Sequence, residues 1–137
     1  MNTHADLTDQ EFKAQFESCA ISPALFNHEA HLRLAWIHIQ QYGTEQAIEN
    51  ICTQLTVFTR HVGAADKYNV TLTVAAIKAV AHFIKKTDAE NFTDFIRQAP
   101  RLKYNFKELM AYHYRQDIYN AASAKKEFIE PDLLPFD

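Results

Sequence analysis

An all-α fold is what this sequence predicts, and three observations predict it. Only two glycines and four prolines punctuate 137 residues, too few for the tight turns that a protein of many short strands needs. Apolar residues recur at three- and four-residue spacing in successive stretches, the period of amphipathic helices. Capping-box pairs, Thr8 with Glu11 and Thr87 with Glu90, stand where such stretches begin. A chain this long buries a core without disulfides or metal staples. The expectation is therefore a single helical domain over 1–137, an irregular bundle of six or seven helices with an extended tail from about residue 129.

In chain order, Thr8 opens a helix running to about Ala20, with Leu7 and Phe12 spaced as a hydrophobic staple, and Pro23 keeps the next segment separate. A second helix is expected from near Asn27 to Tyr42, closed by Gly43, after which Thr44 caps a third. Ile48, Ile51, Cys52, Leu55, Phe58 and Val62 line one side of that third helix before Gly63 stops it. From about Val70 to Lys85 apolar residues run most of the way round, which predicts a central helix. Short helices follow from Thr87 to Pro100, from Phe106 to about Tyr114, and from Ala121 to Phe128. The tail, with two prolines and the apolar Leu133, Leu134 and Phe136, is expected to lie extended across the surface.

Composition narrows the function classes. The formal charge is −3 and the pI about 6.1, and the basic residues between Lys85 and Lys107 are interrupted by Asp88, Glu90 and Asp94. That pattern is a mixed solvated surface and excludes a nucleic-acid footprint. The two cysteines, Cys19 and Cys52, form no CxxC pair, and the amino terminus lacks an apolar signal core. With no apolar run near the roughly 18 residues of a membrane span, the expectation is a soluble cytoplasmic protein. The sequence is silent on oligomeric state.

Seven histidines are many for this length, and His28, His31 and His38 share one predicted helix. At about 100° per residue, His31 and His38 lie about 60° and 80° from His28, in the arc of Leu32, Ala35 and Ile39. They should therefore face the core, with Glu29, Arg33, Gln40 and Gln41 toward solvent. Desolvated imidazoles must hydrogen-bond or bind metal, and two at i and i+3 can converge on one ligand. The cofactor this admits is one transition metal ion, zinc, iron or copper, held by His28, His31 and His61. Asp66, Tyr68, His82 and His113 are the other donors. His28-Glu29-Ala30-His31 misses the HExxH zincin spacing by one residue, and no Glu-x-x-His pair suggests a di-iron bundle. The rival reading is a hydrogen-bonded structural pair. His38 is better read as core or rim, and His4 as disordered surface.

The loop Asp66-Lys67-Tyr68-Asn69 packs polar groups at the start of the most apolar helix. It either binds substrate or orients the histidines, or it is a turn in which Asp66 or Asn69 caps that helix. Trp36, Phe26, Tyr68, Tyr112 and Tyr114 are candidates for pocket walls or for ordinary core. No GxSxG elbow or glycine-rich phosphate loop is present, which removes those enzyme classes.

Phe26-x-His28-x-x-His31-x-Arg33-Leu34-Ala35-Trp36, then Lys67-Tyr68-Asn69-x-Thr71-x-Thr73, then Phe128-x-x-Pro131-Asp132-Leu133 resemble a group of short uncharacterised bacterial helical proteins. The resemblance spans about residues 26 to 133. It implies one shared site joining the histidine pair to the Lys67-Tyr68-Asn69 loop, and it implies no particular reaction. Many members of that group have a histidine and an acidic residue where this chain has Asn69 and Val70, so one ligand present in them is missing here.

The functional expectation is a histidine-lined polar pocket acting on a small molecule. His28, His31 and Tyr68 are its catalytic candidates, and Arg33, Lys67 and Asn69 its substrate-binding ones. The alternative is a non-catalytic helical binding or interaction module whose histidines are structural.

Overall fold

Thr8 opens the first helix as its sequence predicts. Its hydroxyl accepts from Glu11 N at 3.1 Å and the Glu11 carboxylate accepts from Thr8 N at 2.9 Å, closing a capping box at the start of α1, Asp9–Glu17. The computed structural model describes residues 3–136 and contains α-helices and short 3-10 turns, with no strand among the described residues. The chain groups into two compact units that meet in sequence at Tyr68 and Asn69.

In the first unit, α1 stops three residues short of the expected end. Cys19 takes a φ of +62°, and the N–H groups of Ala20 and Ile21 both turn back to the Gln15 carbonyl. Asn27 caps α2, His28–Tyr42, through Ala30 N at 2.9 Å. Gly43 ends it at φ +85°, ψ 168°, a region essentially closed to residues bearing a Cβ. Thr44 is not the cap expected of it. It is the first residue of α3, Thr44–His61, which has no side-chain cap, because the glycine conformation already turns the chain directly from one helix into the next. Ala47, Ile51, Leu55 and Phe58 are the buried stripe of α3. Phe58, Phe16 and Phe26 form an aromatic cluster with ring centroids 4.9 to 5.4 Å apart. In α2 every residue from Leu32 to His38 is buried, so the middle of this helix is embedded all round while its two ends keep exposed residues.

In the second unit, Asn69 caps α4, Val70–Ile84, through Leu72 N at 3.0 Å. The expected capping box at Thr87 does not form. Thr87 is bonded back to Ile84, and Asn91 caps α5, Phe92–Gln98, through Asp94 N at 2.8 Å. The later start places Phe92, Phe95 and Ile96 in the core and leaves Asp88 and Glu90 outside the helix, exposed. Pro100 separates α5 from the single turn α6, Arg101–Tyr104, and α7, Phe106–His113, and α8, Ala122–Lys126, complete the unit. The tail lies against α7. The Tyr114 hydroxyl donates to the Ile129 carbonyl at 2.7 Å, and Leu133 N donates to the His113 carbonyl at 3.0 Å.

Thr71, fully buried, ties α4 to the residues after α8. Its hydroxyl donates to the Glu127 carbonyl at 2.9 Å and accepts from Ile129 N at 3.1 Å. Thr71→Val keeps the shape and strands both backbone groups, so a loss of about 1–2 kcal/mol is expected in urea unfolding. A Thr71→Val chain as stable as wild type would show that water replaces the hydroxyl.

Candidate functional site

The Asn27 cap sets the histidine pair. With α2 starting at His28, the imidazoles of His28 and His31 stand one turn apart on the same side of its first turn. Both are exposed, contrary to the expectation that they face the core. At this end of α2 it is the opposite side that is covered, with Ala30 and Arg33 buried, because a shared helical phase places two side chains on one face without fixing which face meets the core. Phe26 stacks on His31 with ring centroids 4.0 Å apart and an interplanar angle of 29°, joining the imidazole to the cluster of Phe16 and Phe58.

Surrounding protein strips most of the hydration from the His31 ring although the residue as a whole is exposed. This desolvation chiefly, and the charge of His28 secondarily, push its pKa from 6.5 to about 4. The result is an accessible imidazole that is neutral at physiological pH. Such a ring can accept a hydrogen bond, take a proton or ligate a metal.

His38 is the histidine that is wholly buried. Gln46 donates to Asn50 Oδ1 at 2.8 Å, which fixes the Asn50 amide so that its Nδ2 faces His38 Nδ1 at 3.4 Å. His38 Nδ1 is then the acceptor and Nε2 carries the proton, with no hydrogen-bond partner among the described residues. Desolvation, and after it the charge of Lys13, lower the His38 pKa to about 4, with Glu17 opposing.

Arg33 is placed differently from its expected solvent-facing position. It is 7% exposed, lies over the Phe12 ring at 5.0 Å, and holds Asp9 through two nitrogens at 3.1 and 2.9 Å. Its remaining donors go to the carbonyls of His4 and Leu7. A guanidinium so engaged anchors the amino-terminal segment and has no fork left for a substrate anion. His4, expected to be disordered surface, is 3% exposed, with Nε2 2.9 Å from Glu29 Oε1 and Nδ1 3.3 Å from Arg33. A signal for this order exists in the sequence: Thr3 and Asp6 form a capping box around the turn His4–Asp6.

The remaining candidates have their own places and partners. His61 is the exposed last residue of α3, and Lys67 is exposed in the turn Ala65–Lys67. Tyr68 is half-buried, its hydroxyl donating to the Cys52 carbonyl at 3.4 Å, and desolvation first and Cys52 second hold its acidity well below that of an ordinary phenol. Burial likewise raises the Cys52 thiol, the opposite of an activated nucleophile. Asn69 belongs to the second unit, where Oδ1 caps α4 and Nδ2 donates to the Ile118 carbonyl at 2.8 Å. Its amide is therefore structural. Among the described residues no group of three or more His, Cys, Asp or Glu side chains is placed to hold a metal ion, so His28, His31 and His61 do not converge. No helix among the described residues is long and apolar enough to cross a membrane. Compared with protein-family models, curated proteins and solved structures, the chain has no match.

Proposed function

We propose that the protein binds and acts on a small molecule at the exposed first turn of α2, with His31 as proton or hydrogen-bond acceptor and His28 beside it. One observation carries the reading: His31 is accessible, yet its pKa lies at about 4. An imidazole doing only structural work has no need of both properties, and the structural histidines of this unit, His4 and His38, are buried. Stacking on Phe26 holds the ring's orientation, as a base or ligand requires. The metal-dependent version of the reading uses the same two rings to hold one zinc, iron or copper ion. It rests on two imidazoles at i and i+3 of one helix, and its further donors would be water or the substrate itself. The other class of function, an interaction module with structural histidines, would leave both rings indifferent to added metal and to small molecules.

The test is a histidine ring titration by long-range ¹H–¹⁵N NMR, with and without one equivalent of zinc. The His31 ring is expected to stay neutral down to about pH 5. Zinc that shifts the His28 and His31 rings together supports the metal-dependent version. A His31 ring that protonates near its ordinary value, with no response to zinc, removes the proposal and leaves the interaction module.

A further inference from the structure

The second unit holds a recess that the histidine pair of α2 does not involve. Residues of α4, α6, α7 and the tail enclose about 430 Å³, within the roughly 300–1,000 Å³ of ordinary small-ligand sites. Phe83, Tyr112 and Phe136 supply aromatic surface, and Leu109 and Ala79 are buried apolar lining residues. Arg101, His82 and His113 supply the polar groups, each from a different helix, and none of the described lining residues is acidic.

The tail side of the recess is held in place. His113 Nδ1 lies 2.7 Å from the Leu134 carbonyl. A carbonyl only accepts, so Nδ1 carries the proton. The same ring stacks on Phe136 with centroids 4.0 Å apart. Tail and α7 thus form a fixed wall rather than a loose flap.

The chemistry of the occupant follows from Arg101. Its guanidinium is exposed, lies 5.7 Å from the Tyr112 ring centroid, and forms no ion pair with any described carboxylate. A planar, permanently charged fork at the edge of an aromatic recess with no acidic residue among its described lining is complementary to a flat apolar body that carries one carboxylate. We propose that this recess is a binding site for a small aromatic carboxylate, its ring lodged among Phe83, Tyr112 and Phe136 and its carboxylate on Arg101.

Indole-3-acetate and its neutral isostere indole-3-acetamide separate charge recognition from apolar trapping. Each is titrated into the full chain and followed by ¹H–¹⁵N NMR, in wild type and in Arg101→Gln, an exposed substitution that leaves the core intact. The carboxylate is expected to perturb amides of α4, α7, Leu134 and Phe136 and to bind at least about tenfold more tightly than the neutral probe. Arg101→Gln is expected to abolish that preference. Equal binding of the two probes, a preference that survives in Arg101→Gln, perturbation confined to residues outside this recess, or no perturbation by either probe at millimolar concentration overturns the proposal. None of these results bears on His31, whose own ring signals report the α2 site separately.

Discussion

Arg33→Ala is expected to lose about 3 kcal/mol of stability, read as a lower urea midpoint at an unchanged slope. The side chain is nearly inaccessible and satisfies the carbonyls of His4 and Leu7 as well as Asp9. Truncation leaves the two carbonyls without their donor and removes the stem packed on Phe12. Asp9→Ala is expected to cost less, because the Asp9 side chain is 53% exposed and the guanidinium keeps its carbonyl acceptors. If the two substitutions cost the same, the carboxylate rather than the backbone is the partner that matters. If Arg33→Ala costs under about 1 kcal/mol, the amino-terminal segment is not held by this residue.

Acidification supplies the second large effect. His38 in the unfolded chain titrates near 6.5 and in the folded chain at about 4, so between those values the unfolded state binds the extra proton. The contribution of His38 is fully present above pH 6.5 and is lost as pH falls toward 4. The fall corresponds to roughly 3 kcal/mol for a wholly buried ring. Carboxylates add their own acid sensitivity, so the measurement compares two chains. The drop in stability between about pH 7 and pH 4 should be smaller by roughly this amount in His38→Leu than in wild type. Parallel pH profiles for the two chains would show that the ring is solvated in the folded state. His31 acts in the same direction, but its partial exposure lets solvent screen it, and its substitution should flatten the profile less.

The legibility of the chain differs by level. The helices of Thr8, Asn27 and Asn69 were readable because a side-chain oxygen bonding a backbone N–H three residues on is a local event. Thr44 and Thr87 carry the same chemistry yet cap nothing. At Thr44 a glycine had already made the turn, and near Thr87 the burial of Phe92 and Phe95 favoured a later start at Asn91. The histidines show the same division. Their shared phase on α2 was in the sequence, but the face was covered at His38 and open at His31. The Arg33 cluster joins residues 24 to 29 positions apart, and the recess at Arg101 joins α4 to the tail. No local pattern encodes either.

By itself, then, the sequence determined the all-helical class, most helix boundaries and the pairing of His28 with His31 on one turn, since all depend on spacing within a few residues. Tertiary structure alone decided which histidine is buried, that Arg33 and the Nδ2 group of Asn69 are held in structural bonds, and that Arg101 borders an aromatic recess. Desolvation and polar satisfaction are set by neighbours distant in sequence, and these are the quantities on which pKa, ligand affinity and the choice of site depend.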